Sequence, residues 1–327
     1  MVILKSEREI VPETPPPQFK VTMGDTIGQF TLTSPIAGGT SGEVWKARDR
    51  KGAEIVAVKF ITRSNDGTST KRATLVANLI KEFASESIRF LCLPQQTAVF
   101  KGYECIISDL MALDRALQLD RMASTVWTIL YVNTPLNSKC TPSDCLSSTG
   151  KDLHALCVIH GDIKPENILL VSKSTVEIRV LNSDGEFESK EVLRSPEVKI
   201  ADLDDCKLPR QKDYSPMGTP GYIAPEIMED AETEVTDKAD VFALGCLAYE
   251  LHTSHMLFPE QKAAFQVIGE DEQPPPLEPS AKWARITDPD TLAFVKRAVT
   301  PKEKKRPNAD QLLKHKYFSD LANVERD

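Results

Sequence analysis

Nowhere in this chain do roughly 20 apolar residues run together, the length an α-helix needs to cross a bilayer, so the sequence offers no membrane-spanning helix. Paired cysteines are missing as well. Cys92, Cys105, Cys140, Cys145, Cys157, Cys206 and Cys246 are odd in number and scattered, without the CxxC spacing of a zinc site. Free thiols in a reducing compartment are the expectation. There is no basic excess: 40 Lys and Arg stand against 48 Asp and Glu, a net charge of −8, which disfavours attraction of the whole surface to nucleic acid or anionic membrane. No segment repeats at a fixed period. These absences leave a soluble intracellular protein, cytoplasmic or nuclear, whose partners include no nucleic acid and no membrane.

What is present is an ordinary globular composition, 41% hydrophobic and 27% charged, over 327 residues, more than one core usually organises. Two lobes are therefore expected. Residues 1–27 hold Pro12, Pro15, Pro16 and Pro17 with no apolar period and read as a disordered leader. From Phe30 the pattern is strand, glycine turn, strand, strand. Val76, Leu79, Ile80 and Phe83 then fall at helical spacing, so one amphipathic helix is expected between Thr70 and Leu91. TAVF and YECIISDL flank Lys101-Gly102 as two further strands. Beyond Met111 the sequence reads helical to about Val132, breaks at Pro135 and resumes after Pro142, with Ser143 or Asp144 as cap. The stretch DVFALGCLAYEL from Asp240 is apolar on nearly every face and predicts a helix buried all round. Residues 171–197 read as an inserted, solvated hairpin turning at Asp184-Gly185.

Transfer of a phosphoryl group requires a cradle for phosphates, a fixed cation, metal ligands and an acceptor for the incoming proton. The sequence supplies a residue for each. In Ala37-Gly38-Gly39-Thr40-Ser41-Gly42-Glu43-Val44, glycines let backbone N–H groups approach phosphate oxygens, although glycine clusters mark plain turns more often. Lys59 closes the apolar run Val56-Ala57-Val58; such a lysine ordinarily snorkels to solvent. If it is buried it needs a carboxylate, and Glu82 and Glu86 lie one turn apart on one helix face. Glu86 is favoured because it leaves Phe83 and Phe90 facing the core, with Glu82 as the alternative. In His160-Gly161-Asp162-Ile163-Lys164-Pro165-Glu166-Asn167, an aspartate is followed by a lysine and an amide, then by the apolar run Ile168-Leu169-Leu170.

At this loop the chain resembles the eukaryotic protein kinase family, Ser/Thr type, whose catalytic loop reads HRDxKxxN. The resemblance extends over 28–318 through Val198-Lys199-Ile200-Ala201-Asp202-Leu203-Asp204, through Gly218-Thr219-Pro220-Gly221-Tyr222-Ile223-Ala224-Pro225-Glu226 and through KKRPNADQLLKHKYF. It implies an α+β, bilobal protein kinase fold. A small antiparallel β-sheet lobe with one main helix would span about 28–108, a hinge 109–112, and a larger mainly α-helical lobe 113–318, leaving a short tail at 319–327.

The implied activity is Mg-ATP-dependent phosphorylation of Ser and Thr hydroxyls on a protein substrate, with ATP and Mg2+ as cofactors. By the same resemblance Asp162 accepts the hydroxyl proton, Lys164 steadies the γ-phosphate, and Thr219 touches both. Lys59, paired with Glu86, holds the α- and β-phosphates. Asn167 and Asp202 bind metal. Ile36, Gly38, Gly39 and Gly42 cover the nucleotide, Val44, Ala57 and Leu169 sandwich the base, Ser108 is the gatekeeper, and the backbone of Asp109 and Met111 is the hinge. Glu226 pairs with Arg306, and Asp240 holds the backbone of the catalytic loop.

Three positions depart from the family pattern. Ala37 replaces the first glycine, which its methyl permits if φ stays negative. Gly161 replaces an arginine that in many relatives meets an activation-loop phosphate, and the local cations Lys207, Arg210 and Lys212 lie on that same segment. Asp204 replaces a glycine, adding charge beside the metal site and removing backbone freedom. Two rival readings share the fold: a pseudokinase acting as scaffold or allosteric nucleotide-binding module, and a kinase of small molecules.

Overall fold

Alternation from Ile55 to Phe60 along β4 (Ile55–Ile61) shows how the first lobe is built: Val56, Val58 and Phe60 are buried on one face, while Ala57 and Lys59 point to the other and are only partly covered. The same side of the sheet collects Phe30 and Leu32 from β2 (Phe30–Gly39), Trp45 and Ala47 from β3 (Gly42–Asp49), and Cys105 and Ile107 from β6 (Tyr103–Asp109) into one apolar cluster. With β1 (Thr26–Ile27) and β5 (Pro94–Phe100), these strands form a six-stranded sheet in the order β1-β2-β3-β4-β6-β5, and every neighbouring pair is antiparallel. The computed structural model describes residues 20–39, 42–52, 54–62, 68–83, 91–111, 158–181, 185–194, 197–207, 217–229, 235–259, 261 and 282–318. Residues 1–19 of the expected leader, the tail and the helices expected between 112 and 157 lie outside these residues, but the leader's expected end at 27 needs correction: Thr26–Ile27 pair with β2, and Val21 and Ile27 are buried in the core of the sheet.

The β2–β3 hairpin closes at Gly39↔Gly42, and register shifts along β2 after Leu32 and Pro35 bend it over the cleft below. Gly42 cannot be replaced there. Its φ is +151°, and a Cβ would lie 1.9 Å from the carbonyl oxygen of Phe60.

The single helix of this lobe, α1, spans Thr68–Phe83, starting just before the expected range. It packs through Val76, which the apolar period included, and through Ala73 and Ala77, small residues that the period passed over. Its first turn is tied to the sheet, because Thr70 donates its N–H (3.2 Å) and Oγ1 (2.7 Å) to the buried Glu104 carboxylate on β6. That contact satisfies one of the N–H groups a helix start leaves open.

The second lobe contributes a short pair, β7 (Ile168–Leu170) with β10 (Val198–Ile200), registered Ile168↔Ile200 and Leu170↔Val198. Antiparallel pairing in this register sets the residue before β7 beside the residues after β10. Between them runs the hairpin β8 (Thr175–Leu181) and β9 (Phe187–Leu193), a separate two-stranded sheet with Phe187 66% exposed, as a solvated insertion requires.

The expected all-round buried helix is α3 (Lys238–Thr253), whose length is sheathed by α2 (Pro225–Glu229), α4 (Pro289–Ala298) and α5 (Ala309–Leu313). Asp288 caps α4 by accepting the N–H of Thr291 at 2.7 Å, and Asn308 with Gln311 forms a capping box on α5. Phe242 stacks on Phe258, and Phe294 sits among His315, Tyr317 and Phe318.

Candidate active site

Between the sheet and the helical lobe lies a cleft of about 420 Å³, within the range of small-molecule sites. Its roof is the β2–β3 hairpin, with Ile36, Gly38, Gly39, Gly42 and Val44; Ala37 there keeps a negative φ. Its back wall is Ala57, paired across the sheet with Ser108, followed by Asp109 and Met111 at the edge. Leu169 forms the floor, and Lys59, Asn167, Asp202, Lys164 and Thr219 complete the lining. Sequence reasoning named all of these. It missed Cys92, Pro94, Ile106 and Ala73, which line the inner wall from elements that carry no motif. Burial raises the Cys92 thiol, against the opposing hydrogen bond of Ser108.

Below the cleft, the loop from His160 to Asn167 is held by its backbone. The N–H groups of His160 and Gly161 donate to the two carboxylate oxygens of Asp240 on α3, at 2.7 and 2.8 Å. Asp240 is buried, which raises it, against the opposing charge of His160 and these two donors. The His160 ring lies 2.8 Å from the carbonyl of Ala201, tying this loop to the segment after β10. Asp162, Lys164 and Thr219 then form a closed set. Lys164 Nζ donates to Asp162 Oδ2 (2.6 Å) and to Thr219 Oγ1 (2.7 Å), and Thr219 Oγ1 donates to Asp162 Oδ1 (2.6 Å). Asn167 donates through its amide nitrogen to the Asp162 carbonyl at 2.8 Å.

The register of β7 and β10 brings Asn167 next to Asp202: Ala201 N–H donates to the Asn167 carbonyl at 2.8 Å. Asp202 has the left-handed φ of +70° that aspartate tolerates better than most residues, and a 3-10 turn over Leu203–Asp205 follows it. From this turn two carboxylates meet Lys59: Asp202 through Oδ1, and Asp204 through both oxygens at 2.9 and 3.0 Å.

Burial lowers Lys59, but the charges of Asp202 and Asp204 outweigh it and hold the ammonium above the ordinary lysine range. Burial likewise raises Asp202, and the Lys59 charge overrides it to hold that carboxyl well below the usual range. Asp204 goes the other way. Burial, then the hydrogen bond and charge of Asp202, push it up to about 8 against the pull of Lys59.

Asp204 thus stands beside Asp202, as expected of it, and it also reaches Lys59 through both oxygens; of the two carboxylates described at that ammonium it is the more buried, 4% exposed against 17%. The expected partner Glu86 lies outside the described residues, as does the side chain of Glu82. Gly161 has a φ of +80°, and a Cβ there would meet Met217 Sδ at 2.5 Å. A thioether fills the space beside the position where the family has its arginine. Lys207, expected on the activation segment, is 5% exposed and paired through its backbone with Ile159 at 2.7 and 2.9 Å.

Farther out, Arg306 grips Glu226 with two parallel hydrogen bonds of 2.7 and 2.8 Å, its side chain fully buried over the Phe242 ring.

Residues 30–318 match the protein kinase domain family. The chain belongs to that family. Among similar proteins, the dual specificity mitogen-activated protein kinase kinase 7 of Rattus norvegicus is 26% identical over 308 residues, covering 89% of this chain and 63% of the relative. The serine/threonine-protein kinase 4 homolog B of Dictyostelium discoideum is 25% identical, covering 92% of this chain and 24% of its own length. This kinase domain thus spans less than two thirds of each of these curated relatives. The crystal structure of a kinase domain superposes with a TM-score of 0.64 at 19% identity, over 91% of this chain and 98% of the other, which establishes the bilobal α+β fold. Among the described residues no helix is long and apolar enough to cross a membrane.

Proposed function

We propose that this kinase domain transfers the γ-phosphoryl group of Mg-ATP to Ser and Thr hydroxyls of a protein substrate. The observation that carries this reading is the closed Asp162–Lys164–Thr219 set at the mouth of a cleft whose inner end holds Lys59 and Asp202. The cleft fits a nucleotide in size and in chemistry. Apolar Val44, Ala57 and Leu169 would clasp the base, the Gly42 backbone would face the phosphates without a Cβ, and Lys59 would meet them with charge.

Asn167 has committed its amide nitrogen to Asp162, so its amide oxygen, with the Asp202 carboxylate, forms an oxygen donor pair of the kind a magnesium ion takes. A magnesium ion held by these two residues would supply charge neutralisation to the nucleotide's phosphates. Asp162 orients the substrate hydroxyl and accepts its proton as the oxygen–phosphorus bond forms and the bond to the bridging oxygen of ADP breaks. Lys164 offsets charge on the transferred group, and Thr219 keeps Asp162 and Lys164 in register. An intracellular site of action, cytoplasmic or nuclear, goes with this reading.

Asp162→Asn tests it. Turnover with radiolabelled ATP and a generic basic protein should fall by about 10²–10⁴-fold, while nucleotide affinity stays within about threefold. Near-normal turnover removes Asp162 from the mechanism. A silent unaltered protein that still binds nucleotide would instead favour the pseudokinase reading, which the occupation of Lys59 by Asp204 gives some footing. The dual specificity relative motivates a second comparison, Tyr against Ser and Thr peptides, in the same assay.

A further inference from the structure

We infer that Asp204 is a positioning residue for nucleotide, the carboxylate that keeps Lys59 aimed into the cleft once Asp202 is engaged by metal. This rests on the kinase reading above and assigns a role to a position where the family has glycine. Lys59 carries three donors on one ammonium, and in the described structure they go to one oxygen of Asp202 and to both oxygens of Asp204.

The two carboxylates are not equivalent. The Asp202 side chain is 17% exposed and the Asp204 side chain 4%, so Asp202 stands toward the cleft and Asp204 behind Lys59. Asp204 is also firmly placed. Leu203, beside it in the 3-10 turn, is buried in the same apolar cluster as Val76 of α1, and this turn packs along that helix. In the phosphoryl-transfer geometry Asp202 is drawn to metal. A lysine this deep cannot be left without a counterion, because an uncompensated buried charge is strongly destabilising. Asp204 already meets Lys59 through both oxygens and is tied to Asp202 by a side-chain hydrogen bond as well. The aim of Lys59 is therefore set from the turn after Asp202 and not from helix α1 alone.

The test is a double-variant cycle on affinity, with no turnover involved. Binding of Mg2+ with a non-hydrolysable ATP analogue would be measured by calorimetry for the unaltered protein, Asp204→Asn, Lys59→Met and the double variant. Asp204→Asn should weaken binding by about tenfold, and by less than about twofold once Lys59 is methionine, since the coupling runs through that ammonium. Asp204→Glu should recover part of the loss. Asp204→Gly, the residue type the family carries, repeats the cycle if the buried amide prevents folding.

An equal loss in both backgrounds overturns the inference. So does tighter binding by Asp204→Asn, which would make Asp204 a competitor of the phosphates for Lys59. If the unaltered protein binds no nucleotide, the kinase reading itself fails and takes this role with it.

Discussion

At the scale of single residues, Gly161 and Ser108 carry the sharpest consequences. Gly161 combines a positive φ with Met217 packed against its Cα, so any side chain meets both a backbone penalty and an occupied space. Gly161→Ala should lose about 2 kcal/mol of stability, seen as a lower urea midpoint. Adding Met217→Ala should return the steric share but not the backbone share. A Gly161→Ala midpoint equal to the parent's would show that the loop relaxes freely. Ser108, half-buried and paired with Ala57 at the back of the cleft, leaves room behind the base. An ATP analogue with a bulky substituent on the adenine should bind the parent better than Ser108→Phe, and equal binding in a displacement assay would remove Ser108 from that wall.

Among elements, the junction of α3 with the C-terminal turn is sensitive to acid. His252 on α3 lies 3.0 Å from the Tyr317 hydroxyl and is half-buried. Burial lowers it below its ordinary 6.5, opposed only by Asp288. His315, across the Phe294 ring, is lowered by burial and by Arg297, with Asp290 opposing. A histidine depressed in the folded state contributes stability that is present above the unfolded value of 6.5 and is lost as pH falls below it, since the unfolded chain takes up the proton first. Unfolding midpoints should therefore drop between pH about 7 and pH about 5. His252→Gln should flatten that slope without abolishing it, because His315 still titrates. An unchanged slope would assign the acid sensitivity to other groups.

On the scale of the whole molecule, the turn after Asp202 packs along α1 of the first lobe, and the space at position 161 holds a thioether in place of a cation. Met217 packs apolar surface against the catalytic loop at that place, and Lys207 is bound to Ile159 through its backbone. A phosphate orders a loop only where cations are placed to meet it. Protein made without upstream kinases and treated with phosphatase should keep most of its activity, and Ser215→Ala should change turnover by less than about twofold. Tyr214 and Ser215 lie outside the described residues. Loss of activity on dephosphorylation, restored by rephosphorylation at Tyr214 or Ser215, would show that another cation takes over the arginine's task.

The sequence by itself determined the lobes and the order of the elements, because period-2 and all-apolar runs state directly which faces must be buried. That is how β4 turned Lys59 to the cleft and how α3 became the central helix. It also announced the short-range constellation from Asp162 to Asn167, whose spacing is itself the geometry. Alanines lining α1, Cys92 in the inner wall and the Glu104 anchor of Thr70 were not legible, since small or lone polar residues carry no period. That Asp204 meets Lys59 was decided only by tertiary structure, while the expected partner Glu86 lies outside the described residues. Lys59 and Asp204 meet across 145 positions of chain, and no local pattern can tell a stray carboxylate beside a metal site from the counterion that a buried ammonium requires.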